Sequence, residues 1–244
     1  MRPGIFSMVK LGEMNHTTLV IGFYAEGPTD IRFLSKVILR TTEQIILNRS
    51  SSVISVLEPF PIEVDKTGDR VQEILQAATK AAGYNILIIH ADADDKTDKK
   101  AFKERINPGF QSVQQDENEE FCKNLVAIVP VQMTEAWMVA DKEALKEELG
   151  TQKNNQELGL TFPLKQVEKI ADPKSKIQEI IRIAFKDLPA RRRKVQISSL
   201  YSPLGQQVSL DILEQLPSYL KFKTNLTNAL IKLNYISLKT TKPR

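Results

Sequence analysis

Three unbroken apolar runs constrain this chain more than any other feature. They are "TTLVIGFYA" (17–25), "YNILIIHA" (84–91) and "LVAIVPVQ" (125–132). Each is rich in aliphatic and β-branched residues without polar alternation, the pattern of a strand covered on both faces. A fourth run, "SVISVLEPFPIEV" (52–64), reads as a strand broken by Pro59 and Pro61. The intervening stretches have helical spacing. "TDIRFLSKVILRTTEQIIL" (29–47) puts Ile31, Leu34, Val37, Ile38, Ile45 and Ile46 on one face, with Thr29 as a candidate N-cap. "DRVQEILQAATKAAG" (69–83) predicts a helix closed by Gly83. Residues 97–123 predict a charged, mostly helical stretch interrupted by "NPG" at 107–109, and "TEAWMVADKEALKEELG" (134–150) predicts one helix ending at Gly150. Alternating strands and helices predict an α/β, Rossmann-like fold: a mostly parallel four-stranded sheet with helices on both faces.

Strand signals stop after residue 150. "PLKQVEKIA", "KSKIQEIIRIAFKDL", "VSLDILEQL" and "PSYLKFKTNLTNALIKL" predict short helices. The expected organisation is an α/β domain over 16–150 and a C-terminal helical region over 151–244, joined through the polar "GTQKNNQELGLTFP". Residues 1–15 read as a loose, disordered leader or an over-long start. Charge divides at the same place. Residues 1–150 carry 17 Lys/Arg against 23 Asp/Glu, and residues 151–244 carry 17 against 7. An acidic half suits cations and a basic half suits a polyanion; solvated helix faces would give the same asymmetry. No apolar run approaches the 18 or so residues of a membrane span. The N-terminus lacks the apolar core of a signal peptide, and the single Cys122 excludes an internal disulfide and a cysteine zinc site. A cytoplasmic protein is the simplest expectation.

In a parallel α/β sheet, ligands sit beyond the carboxyl ends of the strands. The first strand delivers Glu26 there, the third delivers Asp92 and Asp94, and the fourth leads to Glu135. On an extended chain, two aspartates two residues apart share a face. Side by side they repel, and a cation such as Mg2+ or Mn2+ relieves that repulsion. Asp30 lies four residues after Glu26, with Gly27 and Pro28 making the turn. Each acid also has a plainer reading. Asp30 and Glu135 suit the first turn of a helix through its dipole, and "DADDKTD" suits a capping loop. His90 reads as a packed or supporting residue, with metal ligation as the alternative. Trp137 reads as a packing residue rather than a base-stacking one. Lys96 reads as a surface lysine or a phosphate partner.

"GFYAEGPTD" and "ILIIHADADD" together resemble the Toprim domain of topoisomerases, primases and OLD-family nucleases. That domain has a Glu after its first strand and an Asp-x-Asp after its third. The acid four residues after the Glu looks most like the OLD-type branch, and like uncharacterised Toprim-like proteins paired with ABC-type ATPases in bacterial defence. The likeness covers residues 17–150 well and the helical tail loosely. It implies catalytic and metal-binding roles for Glu26, Asp92 and Asp94, and a second-metal role for Asp30. Glu135 has no secure counterpart, so its candidacy as a ligand rests on its place at the sheet edge. The resemblance implies a Mg2+- or Mn2+-dependent nuclease, the effector of an ATPase-linked anti-phage system. DNA, tRNA or other RNA are all open as substrates. Arg191, Arg192, Arg193 and Lys194 form a basic run suited to gripping nucleic acid, or a solvated helix start. No Walker A pattern is present, so an ATPase partner would be a separate protein. The competing expectation is a non-catalytic docking or regulatory subunit of such an ATPase.

Overall fold

The computed structural model describes residues 17–117, 120–187, 189 and 195–238. The expected leader over 1–15 and the basic run Arg191–Lys194 lie outside the described residues.

The first apolar run forms β1 (Thr17–Leu19) and β2 (Ile21–Tyr24). Val20 separates them, and its N–H donates to Asn85 Oδ1 at 2.7 Å. Helix α1 (Pro28–Arg49) comes next. Thr29 does not cap it: Gly27 is the N-cap and Pro28 fills the first turn, where its missing N–H costs nothing. The proline-broken run gives β3 (Ile54–Val56) and β4 (Phe60–Pro61). Helix α2 (Arg70–Lys80) is capped by Asp69, whose carboxylate accepts from the N–H groups of Val71 and Gln72. Strand β5 (Ile86–His90) leads into a helix in three parts: α3 (Lys99–Ala101), a π turn (Phe102–Ile106) and α4 (Asn107–Gln115). The expected break at "NPG" does not occur. The π turn sits just before Pro108, which takes an early position of α4 where its missing N–H is tolerated.

Strand β6 (Leu125–Ile128) precedes α5 (Glu135–Ala140) and α6 (Lys142–Leu149). These are two helices rather than the one expected. Asp141 takes an extended conformation between them and caps α6 through Ala144 N–H at 3.1 Å. Its other oxygen accepts from Ser209 N–H at 2.9 Å, so the carboxylate that divides the helices also ties them to the C-terminal region. Among the described residues, the helices that follow are α7 (Pro173–Ala184), α8 (Tyr201–Gln207), α9 (Leu210–Leu213) and α10 (Pro217–Lys232), with short 3-10 turns at Leu164–Lys169 and Ile197–Ser199.

Among the described residues all strand pairings are parallel: a four-stranded sheet in the order β4-β2-β5-β6 and a two-stranded one of β1 and β3. Alternate residues of each strand feed two cores. Ile21, Phe23, Ile86, Ile88, Val126 and Ile128 meet α1 and the helices after β6. Tyr24, Leu87, Ile89 and Ala127 meet α2 and α4. Each such aliphatic or aromatic side chain contributes roughly 1.5–3 kcal/mol on burial. Helices beyond residue 150 share the first core. Trp137 of α5 is fully buried, stands edge-on to Tyr219 of α10 at 5.3 Å, and donates from Nε1 to Ser218 Oγ at 2.8 Å. Helix α8 crosses α1 closely at Gly205, where a Cβ would stand 2.6 Å from the Phe33 carbonyl oxygen. From β2 the chain runs outward to β4 and then crosses to β5. The strand order therefore reverses between β2 and β5, and a crevice opens there at the carboxyl ends.

Candidate metal centre

The crevice collects acids from three strand ends. Asp30 stands in the first turn of α1 and is buried; Gly27 and Thr134 nearby favour its charged form against the effect of burial. His90, the last residue of β5, is fully buried. Asp92 lies two residues later. One oxygen of Asp30, one ring nitrogen of His90 and one oxygen of Asp92 lie within 4.8 Å of one another, an arrangement able to hold a metal ion.

His90 Nε2 lies 3.3 Å from Asp92 Oδ1 and 3.3 Å from Thr134 Oγ1. Thr134 N–H donates to the same Asp92 oxygen at 2.9 Å. Thr134 thus supports two members of the set, the kind of supporting contact that orients metal ligands. His90 Nδ1 is buried without a hydrogen-bond partner among the described residues.

The charge balance is unusual. Among the described residues, no Lys or Arg side chain pairs with the carboxylate of Asp30 or Asp92. Burial pushes the Asp30 carboxyl above the usual range; His90 opposes this and Asp92 reinforces it. Burial works to lower His90, but the hydrogen bond and charge of Asp92, with Asp30 and Glu26 nearby, raise it above its ordinary value. Two carboxylates and one imidazole therefore lie together with at most one positive charge among them, a balance that a divalent cation would satisfy.

The other candidates sit around this centre and are differently engaged. Glu26 lies at the rim, 3.4 Å from Arg105 Nη1 and 3.9 Å from Arg70 Nη2. Burial raises its carboxyl, while His90 and the two arginines pull it down. Asp94 is 55% exposed and pairs with Arg105 Nη2. The strand has ended by then, and Asp94 adopts a left-handed backbone, φ 49°. The same-face argument for Asp92 and Asp94 assumes an extended chain, and the turn at Asp94 removes that assumption. Glu135 is buried at the start of α5; it accepts from the Tyr201 hydroxyl, and Lys174 Nζ approaches to 3.9 Å. Burial raises its carboxyl too, with Asp92 adding to the effect.

Arg105 organises the loop. Its Nη1 donates to the Asp92 carbonyl at 2.7 Å while the same guanidinium pairs with Asp94 and Glu26. It belongs to the π turn, and such turns commonly occur at functional sites. Arg70 supports the neighbouring strand end, donating to the His90 carbonyl and lying 4.8 Å over the Tyr24 ring. Backbone bonds add to this: Asp94 N–H donates to the Gln132 carbonyl at 2.9 Å, and Gln132 N–H to that of Asp95 at 3.2 Å. Lys96 and Asp95 are exposed, and Asp98 pairs with Lys221 at 2.7 Å.

Sequence reasoning named both acids of the cluster, Asp30 and Asp92, with Glu26, Asp94 and Glu135 around it, but did not identify Arg105, Arg70, Thr134 or Tyr201. Strand parity carried a signal for His90, which stands two residues before Asp92 and so on the same face. No protein-family model, curated protein or solved structure matches this chain.

Proposed function

We propose that this protein is a divalent-metal-dependent phosphodiesterase acting on nucleic acid. The observation that carries the reading is the Asp30–His90–Asp92 set, three metal-ligating atoms within 4.8 Å at the switch point of a parallel sheet. Mg2+ and Mn2+ both suit the carboxylate oxygens, and the imidazole nitrogen tilts the preference toward Mn2+. A divalent ion bound there supplies Lewis-acid polarisation of the scissile phosphodiester. Asp30, His90 and Asp92 would hold the ion, and Thr134 fixes the orientation of Asp92. Glu26, with its carboxyl raised by burial, accepts a proton from the attacking water. Arg105, a third exposed at the rim, presents its guanidinium to a phosphate oxygen. The Toprim resemblance adds a partner class: a separately encoded ABC-type ATPase, with this chain as the effector of anti-phage defence.

The decisive experiment pairs calorimetry with cleavage. The wild type should bind Mn2+ and cleave a nucleic-acid panel only with divalent ions. Asp30→Ala with Asp92→Ala should lose both. Cleavage retained in that double variant would overturn the assignment. One observation favours the non-catalytic docking reading: Glu26 and Asp94 are already paired with Arg105. A docking module built this way binds no divalent ion, so the same titration separates the two readings.

A further inference from the structure

A groove of about 470 Å³ runs beside β6, between α4 and α10. Its lining carries two charged residues, both lysines. The flanking elements α4, β6 and α10 contain three lysines and no carboxylate; of these Lys221 pairs with Asp98 and Lys223 with Glu214, which leaves Lys232 on the groove. Lys123, just before β6, and Lys232, at the end of α10, both line the groove. Amides of Asn225 and Asn228, on one helical face of α10, project from the same wall, and Phe110 from the opposite one.

Phe102 lines the groove and opens the π turn that carries Arg105. Lys221 Nζ lies 3.5 Å over the Phe102 ring and pairs with Asp98 at 2.7 Å, next to the Asp92–Asp94 loop.

Lysines suit phosphates, side-chain amides suit base edges, and aromatic faces suit unstacked bases. A duplex keeps its bases stacked and paired, which leaves the amides and rings of a narrow groove little to engage. An acidic peptide would use the lysines but not the amides and rings. We infer that the groove between α4 and α10 binds single-stranded nucleic acid and guides it past Phe102 toward the candidate metal centre. The link to chemistry rests on the phosphodiesterase reading; the binding itself does not.

The test measures binding and chemistry separately. Fluorescence anisotropy of a labelled single-stranded oligonucleotide, in EDTA to prevent cleavage, reads the groove. Mn2+-dependent hydrolysis of bis(4-nitrophenyl) phosphate, too small to need the groove, reads the centre. Lys232→Glu with Asn228→Asp should weaken oligonucleotide binding at least tenfold and flatten its salt dependence, with small-ester hydrolysis unchanged. A duplex of the same sequence, and a poly-glutamate peptide, should bind more weakly than the single strand. Wild-type affinity in the variant would overturn the inference, as would equal or tighter binding of duplex or peptide. If the wild type hydrolyses no small ester while the variant still loses oligonucleotide binding, the phosphodiesterase reading fails and the groove stands.

Discussion

Asp92 and Asp94 are two residues apart on one loop and differ in almost every physical respect. Asp92 faces the buried cluster, takes hydrogen bonds from Thr134, and has no lysine or arginine on its carboxylate among the described residues. Asp94 turns outward on a left-handed backbone and is neutralised by Arg105. The centre is short of positive charge, and its rim is already balanced. Burying the Asp30 carboxylate carries a desolvation cost that His90 offsets in part and that no lysine or arginine among the described residues offsets. That imbalance is one a bound cation would relieve, while the pairs of Arg105 at the rim tie the loop.

The comparison breaks most directly at the centre. Asp92→Ala should reduce Mn2+-dependent cleavage by at least a hundredfold and abolish Mn2+ binding by calorimetry, whereas Asp94→Ala should leave Mn2+ affinity within a few-fold of wild type. Equal losses in both variants would erase the distinction. A subtler prediction concerns stability. Asp30→Asn keeps the shape and removes a buried charge, so the metal-free protein should gain about 1–2 kcal/mol against urea. A loss of stability would show that Asp30 is already compensated.

The pH dependence arises from the same charges. Burial raises the carboxyls of Asp30, Glu26 and Glu135 above their unfolded values. A group so raised binds its proton more tightly when folded. Metal-free stability should therefore fall as pH climbs from the ordinary carboxylate range through these raised values, with Mn2+ reducing the fall. Thermal melts across pH with EDTA or Mn2+ would check this, and a metal-free melting temperature that rises over the interval would contradict it. The smallest expected effects lie at the edges of the site. Tyr201→Phe deprives buried Glu135 of its donor and should cost about 1–2 kcal/mol by urea unfolding. Arg105→Ala removes partly exposed ion pairs and should cost no more than about 1 kcal/mol. It should nonetheless loosen the 92–95 loop, read as faster amide exchange there.

Much of the fold was legible because its signals are periodic. Unalternating strands such as "ILIIH" can only be covered on both faces, and helical spacing between them leaves a parallel sheet as the economical arrangement. The failures share a physical cause: they occur where one residue's backbone overrides the period. Asp141 splits what looks like one helix by turning extended. Pro108 looks like a breaker and is absorbed by the adjacent π turn. Helix α8 carries Pro203 and Gly205 and has almost no helical signal of its own; it forms because Gly205 lets it lie against α1. At the site, residue types announced the acids, but the counter-charges came from helices distant in sequence. Nothing in "AFKERI" indicates that Arg105 would face Asp94 and Glu26.

The π turn has one more effect. It differs from an ordinary helical turn by a single residue, and one residue rotates the rest of the helix by about 100° around its axis. Removing one codon within 102–106 would restore regular helix and swing Arg105 relative to α4. The guanidinium that ties Glu26 to the Asp92–Asp94 loop is thus one deletion away from being lost, and the geometry of this edge is open to change by the smallest step a gene can take in length.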